Sequence, residues 1–444
     1  MSESLLQREQ MPAPESAGPS SAETERPSGP GPLSLRSSFP AVAPPTLDVT
    51  ILMPCLNEER TLPQCIDWAR DALDVLKDKY GMSGEILISD NGSQDNSVAL
   101  AESMGARVVH CKERGYGSAL RLGSLSARGR YIVMGDADAS YDFRDAIAMI
   151  QKLEEGAELC MGSRFAGRIM PGAMPWKNRY IGNPILTGVL NLFFRSGFSD
   201  AHCGLRAFTK NAFLRINPTS PGMEYASEMV IKSALLGCKR AEVPIVLRPD
   251  GRDRPPHLKP FRDGWRHLRY LIMLSPVWLY LVPGFILIGL GLSIFALLLA
   301  TPPATVATIG PLWFGDHWMP LAMGMTVTGH LSTLLALTVT LAGIQSGYRQ
   351  VTRALAALYR FSRLETLLLI SLAFLGTGLF MIGDVVIVWA GRDFGPLYKE
   401  RQMIAGATAF VVGVQSFFGA FLLSVIAGNE TDLERAIGSV GQHR

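Results

Sequence analysis

Four long apolar runs crowd the last third of this 444-residue chain, at about 277–300, 319–344, 366–391 and 404–427. Each exceeds the ~20 residues a helix needs to cross the hydrocarbon core of a bilayer. The expectation is an all-α transmembrane domain over 276–427 with a tail at 428–444. Charged residues are 18% of the chain, against ~25% in an ordinary soluble domain, and the deficit lies almost wholly after residue 270. That excludes a purely soluble enzyme, while the charged, glycine-punctuated first half excludes a protein that is all membrane. A net charge of +3 speaks against a nucleic-acid binder. The six cysteines all precede residue 270 and form no CxxC pair, so a disulfide framework or zinc site is not expected, and a reduced cytosolic face is.

Charge between the runs orients the chain. Residues 248–270 carry six Arg and one Lys, and the second connection carries Arg349, Arg353, Arg360 and Arg363. The first connection has no Lys or Arg. By the positive-inside rule the globular half, the second connection and the C-terminus are cytoplasmic. Arg392, Lys399 and Arg401 in the third connection conflict mildly with this. Residues 258–275 form an amphipathic pattern, with Phe261, Trp265, Leu268 and Ile272 on one face and Arg262, Arg266 and Arg269 on another. Such a helix suits an anionic membrane surface, although a soluble surface helix would share the pattern.

Residues 1–46 hold nine of the 28 prolines with many Ser, Gly and Glu, a composition that buries no core. A disordered tail is expected there, and a catalytic domain over 47–257. Strands are expected at 49–54, 85–90, 106–110, 130–136 and 159–164, with helical stretches at 58–79 (starting properly at Pro63), 94–103, 117–127 and 143–155. Continuous apolar strands separated by helices predict an α/β fold, a mostly parallel sheet covered on both faces. Ligands of such sheets bind beyond the carboxyl ends of the strands.

Polar motifs fall at those ends. Asp136-Ala137-Asp138 follows an apolar strand. On extended chain the two carboxylates would point to opposite faces, but a turn beginning here lets both approach one hard cation, Mg²⁺ or Mn²⁺, on a diphosphate. The plain alternative is a solvated acidic turn. Asp90, ending another strand, can take a base or ribose hydrogen bond, while Ser93 and Asp95 suit capping of the next helix. Pro54-Cys55-Leu56-Asn57-Glu58 ends the first strand in the same way.

PCLNEE, DNGSQDNS, GDADASYD, GSRF and DAHCGLRAF, in this order, resemble the inverting family 2 glycosyltransferases, and more narrowly the polyprenyl-phosphate glycosyltransferases typified by dolichol-phosphate mannose and glucose synthases. The resemblance covers about residues 48–256 and implies a GT-A fold. It implies that Pro54, Asn57, Glu58, Asp90 and Asp136 hold the nucleotide, and that Asp136 and Asp138 bind diphosphate through a metal. Ser140 stands where the family often has a Gln ligand, so a hydroxyl, a water or the nearby Asp142 would substitute. Arg164 matches the arginine that binds the acceptor phosphate and completes the catalytic set with Asp136 and Asp138. Arg179 and Asn183 match a second phosphate-binding patch. Asp200, Gly204 and Arg206 match a D-x-x-x-G-x-R-like patch, Glu228 an acidic position on a helix, and Arg248, Arg252 and Arg254 a basic loop over the donor.

The activity so implied is metal-dependent, inverting transfer of one sugar from a nucleotide-sugar to polyprenyl phosphate at the cytoplasmic face. UDP-glucose is slightly favoured as donor and GDP-mannose remains open. Self-association is compatible with the sequence. Two other readings compete. A processive polysaccharide synthase would carry Gln-x-x-Arg-Trp, for which the nearest match is Gln350-Val351-Thr352-Arg353-Ala354, without the Trp. A non-enzymatic scaffold or flippase would not need both Asp136 and Asp138 intact. Inside the spans, Asp384 is expected to face the bundle with His330 or Gln415 as its partner.

Overall fold

The computed structural model describes residues 44–251, 260–302, 305–351, 364–397 and 399–427, with side chains omitted at 260–263. The expected tail lies outside these residues up to residue 43, as do Arg252, Arg254, Arg353, Arg360, Arg363 and 428–444.

Among the described residues the N-terminal half is built on seven strands: β1 (Leu47–Cys55), β2 (Gly84–Asp90), β3 (Arg107–His110), β4 (Gly129–Met134), β5 (Leu159–Ile169), β6 (Arg206–Thr209) and β7 (Arg240–Leu247). Their order is β3-β2-β1-β4-β6-β5-β7. All neighbours are parallel except β6, which runs antiparallel to both β4 and β5. Ile51, Leu52 and Met53 are fully buried, as a strand covered on both faces requires. Helices α1 (Leu62–Tyr80), α2 (Ser97–Ser103), α3 (Tyr116–Ser126) and α4 (Ala146–Glu154) alternate with the first five strands. Pro63 sits in the first turn of α1, where its missing N–H costs nothing. Register then aligns the strand ends. Cys55 pairs with Asp90 and Leu52 with Met134, so the segments after β1, β2 and β4 emerge on one edge.

Helices α5 (Asn183–Phe194), α6 (Lys210–Ile216), α7 (Glu224–Leu235) and α8 (Pro260–Met273) complete this half. On α8, Leu271 enters the core, with Tyr270 packed beside it, while Trp265 and Met273 are exposed.

Among the described residues four helices are long and apolar enough to cross a membrane: Val277–Ala300, Trp318–Gln345, Leu364–Ala390 and Glu400–Ala427. We label their regular parts α9 (Val282–Ala300), α10 (Trp318–Gln345), α11 (Leu364–Ala390) and α12 (Glu400–Ala427). A short hairpin, β8 (Ala307–Ile309) and β9 (Leu312–Phe314), joins the first two. The main packing runs α9 on α10, α10 on α12 and α12 on α11. At the α11–α12 crossing a Cβ on Gly378 would stand 2.5 Å from the Phe410 amide nitrogen, the close backbone approach small residues permit in lipid.

The intramembrane polar residues pair differently from expectation. Asp384 accepts from Lys399 Nζ at 2.6 Å and Gln402 Nε2 at 2.7 Å. His330 instead meets Gln415 at 3.0 Å and Ser416 at 3.1 Å. Asp384 lies near the end of its span, within reach of a lysine in the following connection, and an ion pair outweighs a neutral partner there. Two of the charges in the third connection have local partners. Lys399 is neutralised by Asp384, and Arg401 is buried against Asp316 and the carbonyls of Leu298, Thr301 and Thr305.

The two halves touch at several points. Phe193 of α5 stacks on Trp278, with centroids 5.6 Å apart. Arg349 donates to the Leu274 carbonyl at 3.0 Å, and the Gln350 amide to Leu235 at 3.2 Å.

Candidate active site

β4 delivers a buried apolar run to the sheet edge, and the chain then turns. Ala139 has φ +62°, a left-handed conformation uncommon outside glycine, so Asp136-Ala137-Asp138 lies on a turn and not on extended chain. The Tyr116 hydroxyl donates to Asp136 Oδ1 at 2.9 Å. Asp138 Oδ1 accepts from the Ser140 amide at 3.0 Å and its hydroxyl at 2.5 Å. Thr61 Oγ1 donates to the Ala137 carbonyl at 2.7 Å. Asp138 and Ser140 are both buried.

Asp142 does not stand free to replace the missing ligand. It accepts from Arg144 Nε at 2.9 Å, Arg144 Nη2 at 2.7 Å and Arg248 Nη2 at 3.1 Å. Burial alone would raise its carboxyl, but the hydrogen bonds and charge of Arg144, with the charge of Arg248, hold it below the usual range. The segment after β7 runs beside the acidic turn. The Arg248 amide donates to the Ser140 carbonyl at 2.9 Å and the Gly251 amide to the Asp138 carbonyl at 3.0 Å. Arg252 and Arg254 follow directly, outside the described residues.

The loops after β1 and β2 are stitched together. Asn57 adopts φ +58°. Its amide donates to Ser93 Oγ at 2.9 Å, and its Oδ1 accepts from the Gln94 amide at 2.7 Å. The Glu58 amide donates to Ser97 Oγ at 2.8 Å. Asp95 accepts from the Ser97 amide at 3.0 Å, but α2 has Asn96 at its N-cap and no side-chain cap, and Ser93 braces the neighbouring loop, so neither residue caps the helix as expected. Asp90 is buried and closes its own turn, accepting from the Gly92 and Ser93 amides at 3.2 and 3.0 Å, with His110 at 3.3 Å. Burial raises its carboxyl, yet these bonds outweigh that and leave it below the usual range. Pro54 is half-buried and Glu58 buried at the same edge.

Behind the acidic turn lies the segment 200–206. Arg164 and Asp200 are buried and paired, so the guanidinium edge carrying Nε and Nη2 is already occupied. Gly204 must be small. A Cβ there would stand 2.6 Å from Asp136 Oδ2 and 2.9 Å from Tyr141 Cε2, while its amide donates to the Tyr141 hydroxyl at 3.0 Å. Arg206 is fully buried and donates to the carbonyls of Cys203 and Ala226 at 2.5 and 2.8 Å. Its position is interior, without reach to solvent. His202, half-buried beside it, has its imidazole pushed down to about 3 by burial of the ring and by His267. Glu228 is buried against Lys232 and the amides of Thr219 and Ser220.

Asn183 opens α5 and Arg179 lies in the helical turn before it, both half-buried. Around them Trp176 is 62% exposed and Tyr180 67%, with Ile181 and Ile185 also exposed. An exposed apolar face with Trp, Tyr, Lys177 and Arg179, continuous through Phe193 with the first span, has the composition of a membrane interface.

Sequence reading passed over Tyr116, although it sits between Gly115 and Gly117 where α3 begins, a sign of close backbone packing. It also passed over Tyr141 and over the exposed apolar side chains around Arg179 and Asn183.

Two family models match the chain: Glycosyl transferase family 2 over residues 50–216, and Glycosyltransferase family 2 C-terminal transmembrane region over 337–427. The low-salt glycan biosynthesis hexosyltransferase Agl6 of Haloferax volcanii is 33% identical over 385 residues, 85% of this chain and 88% of its own length. The dolichyl-phosphate beta-glucosyltransferase of Dictyostelium discoideum is 29% identical over 191 residues, 38% of this chain and 57% of its own. Among solved structures, glucosyl-3-phosphoglycerate synthase of Mycobacterium tuberculosis, with Mn²⁺, UDP and glucosyl-3-phosphoglycerate, covers 51% of this chain and 78% of its own at 21% identity, with a TM-score of 0.39.

Proposed function

The chain belongs to glycosyltransferase family 2 and carries that family's C-terminal transmembrane region, and from that premise we propose that it moves one sugar, with inversion, from a nucleotide-sugar to a polyprenyl phosphate. One observation carries this reading. The acidic turn at Asp136–Asp138 and the exposed apolar face leading into α5 belong to one sheet domain that is fastened to four membrane-length helices. A soluble acceptor would need neither the face nor the helices. The dolichyl-phosphate glucosyltransferase relatives point to the same acceptor class.

The donor set of Asp136, Asp138 and the Ser140 hydroxyl fits a hard divalent cation, Mg²⁺ or Mn²⁺, which shares its coordination with substrate phosphates and needs no all-protein cage. When bound, that ion would neutralise the diphosphate leaving group. Tyr116 and Ser140 hold the two carboxylates, so little reorganisation remains at the moment of reaction. The nucleotide would lie against the stitched loops of Pro54–Glu58 and Asp90–Ser97. Arg248, Arg252 and Arg254 would cover it, since the Gly251 amide is already bonded to Asp138. The acceptor phosphate, with a second pKa of about 6, is largely dianionic at neutral pH and needs no strong base. Its charge needs arginine. Arg179 and Asn183 would take the headgroup at the lipid boundary, and Arg164, oriented by Asp200, would meet it closer to the sugar. Glu228 and Arg206 support the surrounding backbone.

The catalytic half would face the cytoplasm, since Lys399 and Arg401, the charges that opposed this orientation, are spent on local partners. A processive synthase is less well supported, because Gln350, first residue of its nearest motif, is docked against Leu235 and Gly237. The test is a panel of radiolabelled nucleotide-sugars offered to the purified protein with polyprenyl phosphate and Mg²⁺ or Mn²⁺. A single sugar on lipid phosphate is expected. A long polymer, or donor turnover unaffected by omitting the lipid, would overturn the reading.

A further inference from the structure

Helix α1 holds the acidic turn at two points. Thr61, at its N-cap, donates its hydroxyl to the Ala137 carbonyl at 2.7 Å. About two turns further along the helix, the half-buried Trp68 ring lies under the Arg248 guanidinium, with Cζ 5.3 Å from the ring centroid. Arg248 directly follows β7, and from there the chain is laid along the turn. Leu247 pairs antiparallel with Tyr141. The Arg248 amide donates to the Ser140 carbonyl at 2.9 Å, and the Gly251 amide to the Asp138 carbonyl at 3.0 Å. The fit against α1 is close, since a Cβ on Gly251 would stand 2.8 Å from Thr61 Cγ2.

Charge around Arg248 does not balance without the ring. Asp142 accepts from Arg248 Nη2 at 3.1 Å and from Arg144 Nε and Nη2 at 2.9 and 2.7 Å, so one carboxylate serves two guanidiniums. Arg144 also approaches Asp71 at 4.0 Å and the Trp68 ring at 5.8 Å. Asp71 is on the same face of α1 as Trp68. Arg248 Nε is buried and has no hydrogen-bond partner among the described residues. A buried cationic N–H without an acceptor is costly, and what lies against this guanidinium is the negative face of an aromatic ring.

We propose that Trp68 is a positioning residue for the acidic turn. Its ring seats the Arg248 guanidinium on Asp142, and the amides of Arg248 and Gly251 then fix the carbonyls of Ser140 and Asp138. The proposal rests on the reading of this turn as the metal–diphosphate site. Trp68 touches neither metal nor donor in this scheme and acts only through Arg248. Its effect comes from the negative ring face and not from ring volume, because the ring stands where Arg248 Nε has no acceptor.

The test uses the full chain in lipid nanodiscs. A fluorinated tryptophan placed site-specifically at position 68 drains the negative ring face and nearly keeps its shape. Trp68→Leu removes the ring outright. Amide hydrogen exchange over residues 246–251 is read first. Mn²⁺ binding is then read by electron paramagnetic resonance, with UDP and separately with GDP as the probe nucleotide. The fluorinated ring should speed exchange and weaken Mn²⁺–nucleotide binding about fivefold, with a melting temperature close to that of the wild type. Trp68→Leu should lose at least as much. In an Arg248→Gln background the fluorinated ring should cause no further loss, because the two residues act as one unit. Wild-type exchange or wild-type binding with the fluorinated ring, or a loss of the same size in Arg248→Gln, would overturn the proposal. If the wild type binds Mn²⁺ with neither nucleotide, it is the metal reading of the turn that fails, and the exchange result still decides whether Trp68 positions it.

Discussion

Arg164 and Asp200 form a closed two-point pair, Nε to Oδ2 at 2.6 Å and Nη2 to Oδ1 at 2.7 Å, with the Arg164 amide adding a third bond to Oδ2 at 3.0 Å. Both side chains are buried. Removing one partner leaves an uncompensated interior charge, which costs ~3–5 kcal/mol. Arg164→Ala and Asp200→Ala should therefore each lower the melting temperature markedly, and Arg164→Met with Asp200→Leu should recover much of it. Arg164→Lys should raise the KM for polyprenyl phosphate more than that for the donor, because lysine keeps charge and loses the fork. Unchanged melting in the single variants would show that the pair does not hold the fold. A KM change confined to the donor would move Arg164 to the other substrate.

The acidic turn gives a sharper test. Asp138→Asn preserves shape and the acceptor oxygen for Ser140, and removes charge. Transfer should fall at least about a hundredfold, with the circular dichroism spectrum retained. Full activity in the variant, or in excess EDTA, would rule out the metal role.

Much of this site was legible because its signals are local. Strand-end acids at Asp90 and Asp136 follow continuous apolar runs, and a parallel sheet puts such ends on one edge. The antiparallel β6 was not legible, since four residues starting with Arg206 show no alternation, and their partners lie at 131–134 and 159–161. Asp384 was assigned the wrong partner for a related reason. Depth along a span can be counted, but the path of the following connection, which brings Lys399 back to it, cannot. Arg164 carried a motif in sequence, yet nothing local announced that Asp200 would occupy half of its guanidinium.

Acid should destabilise the fold in a defined window. Asp142 and Asp90 titrate below 3.8 in the folded chain, Arg144 outweighing burial in one case and Ser93, His110 and Gly92 in the other. As pH falls, the unfolded chain binds these protons first. Their contribution is whole above about pH 5 and is lost as pH falls through 3.8 toward the lowered folded values. The melting temperature should hold from neutral pH to ~5 and then drop. Asp142→Asn should melt below the wild type at neutral pH and converge with it at the acid end. A constant gap across the whole range would mean that Asp142 contributes shape and not charge.

The exposed apolar face leading into α5 predicts a dependence on lipid. Trp176→Glu with Ile181→Glu places two charges where the bilayer interface would lie, without touching the sheet. Transfer to long-chain polyprenyl phosphate in liposomes should fall about tenfold or more. Transfer to a short, water-soluble prenyl phosphate in detergent should change little. Equal losses with both acceptors would show that the face serves the fold or the donor site and not the membrane.

Gly204 allows the contact between segment and carboxylate to be tested with one methyl group. Its φ lies outside the left-handed region, so alanine fits the backbone. Any effect must then come from the space a Cβ fills, 2.6 Å from Asp136 Oδ2 and 2.9 Å from the Tyr141 ring. The carboxylate and the ring are held by Tyr116 and by the Gly204 amide, so one of these bonds must give. Overpacking of this kind costs ~1–3 kcal/mol, and here the strain falls on the group proposed to meet the metal. Gly204→Ala should raise the Mn²⁺ concentration for half-maximal transfer several-fold, with a melting temperature a few degrees lower. Cobinding of Mn²⁺ and nucleotide should weaken in parallel by calorimetry, while affinity for polyprenyl phosphate stays as it was. A variant that loses stability but keeps its metal dependence would show that Asp136 yields without consequence, and that the metal is held chiefly by Asp138.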